Sequence, residues 1–206
     1  MVCGVSYNNL CFMDGQMKKY QIIYADPPWS YQDKRTTAGK NNPHGAGGAE
    51  KHYRTMSLEE MKALSFQEIS DTNSMCFMWA TSPQLPVAIE LMASWGFKYK
   101  TVCFVWVKVT NDYAMVRGDG IGNYTLSNAE YVLVGSRGKY WREDRTVRQI
   151  LMHPKMAHSE KPKEIRNRII RLCGDVPRIE LFARQKTEGW DVWGNEVESD
   201  IELKGR

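Results

Sequence analysis

Tyr20 to Ala25 (YQIIYA) is a short apolar run rich in β-formers, and it stops at Asp26-Pro27-Pro28. Two consecutive prolines remove two backbone donors and fix two φ angles, so a central strand cannot run through them. The pattern predicts a buried strand over 20–25 with Asp26 at its carboxyl end. Met75 to Ala80 (MCFMWA), Thr101 to Val109 (TVCFVWVKV), Tyr131 to Val134 and Ile179 to Ala183 read as further strands. Helical patterns lie between them. Ser57 and Glu60 form a capping box for a short helix ending near Leu64. After Pro83, Leu85, Ile89, Met92 and Trp95 mark an amphipathic helix that Gly96 stops, and Pro162 to Cys173 carries a stripe of Ile165, Ile169, Ile170 and Leu172 that Gly174 stops. Strands alternating with helices indicate an α/β sheet, in which ligands bind beyond the carboxyl ends of the strands. Asp26, Lys108 and Arg184 are expected at such ends.

Between these elements, Thr36–Glu50 (with Lys40 and His44) and Thr110–Asn128 (with Arg117) are polar and glycine-containing, and read as surface loops. Gly135-Ser136-Arg137-Gly138 reads as a turn where the chain reverses. Arg137–Lys155, with Lys139, Arg142, Arg145, Arg148, Tyr140 and Trp141, is either a solvated basic hairpin or a surface for phosphates and bases. A chain of 206 residues, 42% hydrophobic and 25% charged, suits one globular domain (1–206) and excludes a disordered or fibrous chain. No long apolar run or secretory pattern is present, so a cytoplasmic protein without membrane spans is expected. The net charge of +4 permits nucleic-acid binding without requiring it. Five cysteines, odd in number and never spaced Cys-x-x-Cys, suggest neither a disulfide framework nor a metal site.

The tetrapeptide Asp26-Pro27-Pro28-Trp29 suits work on an amine attached to an aromatic ring. The lone pair of adenine's exocyclic amine is delocalised into the ring, which makes it a poor nucleophile. The Asp26 carboxylate and the Pro27 carbonyl can each accept one of its N–H groups and aim the lone pair at an incoming methyl group. The two prolines stiffen that geometry, and Trp29 either stacks on an extruded base or packs the core.

Further segments follow in order: Tyr53-Arg54-Thr55-Met56-Ser57, Trp106-Val107-Lys108, Gly122-Asn123-Tyr124 leading to Glu130, His158-Ser159-Glu160-Lys161-Pro162, Arg178 to Arg184 (RIELFAR) and Gly189 to Glu196 (GWDVWGNE). With the tetrapeptide, they resemble the DPPW-type adenine methyltransferase family, which includes the catalytic subunit of the eukaryotic messenger-RNA adenosine methyltransferase. The resemblance covers about residues 20–197. It implies a Rossmann-like S-adenosylmethionine-dependent methyltransferase fold with β-class (permuted) order, the catalytic motif preceding the methyl-donor site.

Carried over residue by residue, the resemblance makes Asp26, Pro27, Pro28 and Trp29 catalytic. It places Asp26, Lys161, Glu180, Arg184, Asn195 and Glu196 at the donor, and Tyr53, Trp106, Lys108, Tyr124, Glu130 and Ser159 near the target base. Tyr53, Trp106 and Tyr124 read equally as core aromatics, and Lys108 as a solvated strand end. Lys186, Thr187 and Glu196 stand where the messenger-RNA enzyme has His, Asn and Gln. Donor-adenine contacts are expected upstream of residue 20, with Asn9 and Leu10 as candidates. The expected reaction is methylation of the adenine 6-amino group in DNA. RNA is the alternative substrate, a non-catalytic nucleic-acid-binding subunit is the alternative role, and a homodimer or partner subunit is left open.

Overall fold

The structure is a computed structural model that describes residues 18–29, 55–117, 124–156 and 160–203. Its centre is a seven-stranded sheet of β1 (Tyr20–Ala25), β2 (Ser70–Ala80), β3 (Lys98–Val109), β4 (Ala129–Arg137), β5 (Ile150–Pro154), β6 (Arg178–Leu181) and β7 (Asp191–Trp193). The order is β5-β3-β4-β2-β1-β6-β7. Only β4 pairs antiparallel with its neighbours, so the other six strands share one direction. The amino end of β4 therefore lies at the same edge as the carboxyl ends of all the others.

β1 and the second half of β2 are buried on both faces, as expected of inner strands that are apolar throughout. On one face, Ala25, Cys76 and Met78 pack with Met61, Phe66, Leu91, Met92 and Trp95. This layer comes from α1 (Leu58–Lys62), the 3₁₀ turn after it and α2 (Leu85–Ser94). On the other, Tyr24, Phe77, Trp79 and Trp106 pack with Ile165, Ile169 and Cys173 of α3 (Lys163–Cys173). The Ser57–Glu60 capping box is present at α1. Gly96 and Gly174 follow the two longer helices with φ of +84° each, a conformation that favours glycine.

Three expectations need correction. The Gly135–Arg137 segment is not a turn, because β4 continues through it to Arg137. Gly135 is there for close approach: a Cβ would meet Met92 Sδ at 2.3 Å. Arg137–Lys155 is not a hairpin, since it contains β5, which runs parallel to β3. Trp141 in this segment is a packing residue, its indole donating to the Cys173 carbonyl at 2.8 Å. The fifth expected strand ends at Leu181 rather than Ala183, because Phe182 turns to φ +59°.

A close backbone approach joins the ends of β6 and β7. Ala183 N–H donates to the Trp193 carbonyl at 3.0 Å, and a Cβ on Gly194 would meet the Ala183 oxygen at 2.0 Å. Backbone cannot swing aside as a flexible side chain can. Gly194→Ala is expected to destabilise the fold by about 1–3 kcal/mol, read as a lower urea midpoint at unchanged slope. An unchanged midpoint would show that the two strand ends separate freely.

Candidate active site

Asp26 leaves β1 directly, and the prolines after it hold the chain in a tight loop. Trp29 N–H donates to the Pro27 carbonyl at 2.8 Å, and Met56 N–H to the Pro28 carbonyl at 3.0 Å. The Pro27 oxygen retains a second lone pair for another donor. Trp29 itself is buried, and its indole N–H points to the Trp79 carbonyl at 3.3 Å. Of the two readings of Trp29, the geometry matches packing beneath the loop rather than an open stacking face.

Four alternating charges line the strand edge. Lys161 donates to Asp26 Oδ2 at 2.9 Å and lies 3.6 Å from Glu130 Oε2, while Lys108 donates to Glu130 Oε1 at 2.6 Å. Each lysine sits over an indole, Lys161 5.4 Å from the Trp79 ring and Lys108 5.1 Å from the Trp106 ring. The two indoles meet edge-on with centroids 6.2 Å apart. Their negative faces favour the cations from below, and the carboxylates do so from the side. Burial pushes the Asp26 carboxyl above its ordinary range, and Lys161 pulls it only partly back. Burial acts on Glu130 in the same sense, but Lys161 and Lys108 together outweigh it and hold that carboxyl below the usual value. Two carboxylates in one chain of charges are thus driven in opposite directions.

On the β6 side of Asp26 lies a cleft of about 280 Å³, lined among others by Tyr24, Lys161, Glu180, Phe182, Arg184 and Glu196. Glu180 is nearly buried and accepts two hydrogen bonds from Arg166, both at 2.7 Å. The Arg166 guanidinium in turn lies 5.6 Å from the Tyr24 ring centre, and the Tyr24 hydroxyl accepts from the Trp79 indole at 2.6 Å. Phe182, a non-glycine residue at positive φ, sits on the cleft wall as backbone strain gathered at a site.

The structure brings together Asp26, Lys161, Glu130 and Lys108, and lines the cleft with Glu180, Arg184 and Glu196. Trp106 is buried, its N–H donating to the His153 carbonyl at 2.9 Å, so it presents a cation platform rather than an open wall. Tyr124 is fully exposed. Asn195 is exposed and is not among the cleft-lining residues. Tyr53, Ser159, Asn9, Leu10 and the Thr36–Glu50 loop lie outside the described residues. Sequence reasoning missed Tyr24, Trp79 and Arg166. A signal existed for Arg166: Glu180 interrupts a short apolar strand, and a buried carboxylate demands a cation.

Removing the cation that offsets burial should expose its effect. In Lys161→Met, Asp26 is expected to protonate at higher pH than in the parent protein, followed by carboxyl carbon NMR. A titration midpoint that stays put would mean that Lys161 does not set the ionisation of Asp26.

The MT-A70 family model matches residues 20–196. The chain is 40% identical over 198 residues to the type II methyltransferase M.MunI of a Mycoplasma species, covering 90% of this chain and 82% of that protein. It is 27% identical to the N(6)-adenosine-methyltransferase MT-A70-like protein of Drosophila melanogaster, over 87% of this chain. It is 24% identical to the human N(6)-adenosine-methyltransferase catalytic subunit METTL3, over 95% of this chain. It spans only 27% and 30% of those two longer proteins. With a match that runs from the first residue of β1 to the cleft residue Glu196, the chain belongs to the MT-A70 family.

Proposed function

We propose that this protein transfers a methyl group from S-adenosylmethionine to the 6-amino group of adenine in DNA. The observation that carries the reading is the position of Asp26, a carboxylate at a strand end with a charged cleft on one side and the Lys161–Glu130–Lys108 line of charges on the other. The cleft residues fit the donor's chemistry. Lys161 and Lys163, at the start of α3, suit a carboxylate, and Glu180, Glu196 and Arg184 suit hydroxyl groups. Tyr24 and Phe182 add aromatic surface. When bound, S-adenosylmethionine supplies a methyl group carried on a positively charged sulfur.

The chain's own residues then do the positioning. Asp26 and the Pro27 carbonyl accept the two N–H groups of the amine and turn its lone pair out of the ring plane. The raised affinity of Asp26 for a proton suits it to take the proton that the amine sheds. In this structure Lys161 is paired with Asp26 and Glu130, so the same ammonium both favours the ionised form of Asp26 and borders the cleft.

DNA as the substrate is supported by the compact type II methyltransferase relative, of which the chain covers 82%. RNA is the second reading, favoured by the adenosine methyltransferase relatives at lower identity. The purified protein, S-adenosylmethionine and sequence-matched DNA and RNA oligonucleotides separate the two after nucleoside digestion. N6-methyladenine is expected in DNA and less in RNA, with easily opened sites preferred because the base must leave its stack. Methylation of RNA alone would transfer the assignment to RNA, and methylation of neither would defeat it. Asp26→Ala should stay folded and lose about 100-fold or more in turnover. Near-parent turnover would remove Asp26 from the reaction.

A further inference from the structure

Thr81 follows β2 with extended backbone, φ −88° and ψ 162°. Cys76, Met78 and Ala80 belong to the α2 layer, and Phe77 and Trp79 to the α3 layer. Strand alternation then puts Thr81 on the Trp79 side, over which the Lys161 ammonium lies. Its hydroxyl oxygen is shut off from solvent and has no hydrogen-bond partner among the described residues. Thr81 heads the 3₁₀ turn Ser82–Gln84 without capping it. A buried hydroxyl that bonds nothing is rare in a folded protein, and its burial is a cost that a ligand can remove. Arg178 Nε is also buried without a partner, but it sits at the amino end of β6, away from the site, and its guanidinium already bonds Asp175 and the Val176 carbonyl.

The strand registers locate the hydroxyl. Ala25 is opposite Met78, and Ala80 is opposite Tyr131. Carried one step beyond Ala80, the second register sets Thr81 beside Glu130 at the carboxyl edge of the sheet. The Trp29 indole reaches the Trp79 carbonyl two residues before it, so the Asp26-Pro27-Pro28-Trp29 loop lies against the same end of β2. The residues lining the cleft come from β1, α3, β6, their flanking segments and the segment after β7, and none from β2, β3 or β4. Asp26 separates the two sides.

We infer that the Thr81 hydroxyl hydrogen-bonds the target adenine, on the face of the site opposite the donor cleft. This rests on the adenine-methylating reading. If Asp26 and Pro27 accept the two N–H groups of the amine, Thr81 is left to donate to one of the ring nitrogens flanking it, N1 or N7. A hydroxyl meets that need with no charge, and it leaves Glu130 to its two lysines.

The test uses the full-length chain. Thr81→Val keeps the side-chain shape and deletes only the hydroxyl. Its melting temperature is expected to be unchanged or higher, because the hydroxyl bonds nothing in the free protein. Calorimetric affinity for S-adenosylhomocysteine, the donor-site probe, should be unchanged. The kcat/KM for a DNA oligonucleotide containing adenine should fall about fivefold to tenfold, the scale of one neutral hydrogen bond, and Thr81→Ser should restore it. Oligonucleotides carrying 1-deazaadenine or 7-deazaadenine identify the acceptor: one of them should be a poorer substrate for the parent protein but carry no added penalty in Thr81→Val. Parent-like kcat/KM in Thr81→Val would overturn the inference while leaving adenine methylation standing, as would a parallel loss of melting temperature and donor affinity. If the folded, probe-binding parent methylates no adenine, the broader reading fails and this inference fails with it.

Discussion

The contact between Lys161 and Asp26 is the interaction on which the site's arrangement depends. A carboxylate at the end of an inner strand, beneath a loop stiffened by two prolines, loses much of its hydration and must be compensated or protonated. Lys161 supplies one compensating charge at 2.9 Å. Burying that lysine creates the same problem with the opposite sign, which Glu130 and the Trp79 ring meet. Glu130 in turn draws in Lys108, which closes the chain over Trp106. Each member answers the desolvation of the one before it.

The single reversed strand makes this possible. Were β4 parallel to its neighbours, its first residues would lie at the far edge of the sheet, and Glu130 would be a strand length away from Asp26. Because β4 runs against β2 and β3, Glu130 pairs across from Trp106 at the carboxyl edge. Residues from five elements (β1, β2, β3, β4 and the approach to α3) then converge on one line of charges. The cleft across Asp26 draws its lining from β1, α3, β6 and the segment after β7, and Gly194 lets the ends of β6 and β7 approach closely.

Much of this was legible in the chain itself. The stop at Asp26-Pro27-Pro28 located the end of β1, because proline's missing donor is a local property that tertiary structure cannot repair. The Ser57–Glu60 box and the glycines after α2 and α3 were readable for the same reason. β5 and β7 were not, since ILMHP and DVW are too short for periodicity and depend on neighbouring strands for their pairing. Pro154 is tolerated because β5 is an edge strand. Asp26, Glu130, Lys108 and Lys161 were each identifiable, but not their mutual contacts. Those follow from the antiparallel β4, which no local signal specifies. Trp106 and Trp29 each read as either ligand-facing or packing aromatics, and the structure buries both, with Trp106 as a seat for Lys108.

A line of charges that sets the ionisation of Asp26 would, through it, set the rate of transfer. The most direct measurement is the pH dependence of kcat/KM for adenine methylation in the parent protein and in Glu130→Gln. Because burial raises the Asp26 pKa, the parent's acid limb is expected above the ordinary aspartate range, with activity lost as pH falls through it. Glu130 adds to that rise, so its neutralisation should move the limb to lower pH. A limb that moves upward, or one at the same pH in both proteins, would contradict the claim.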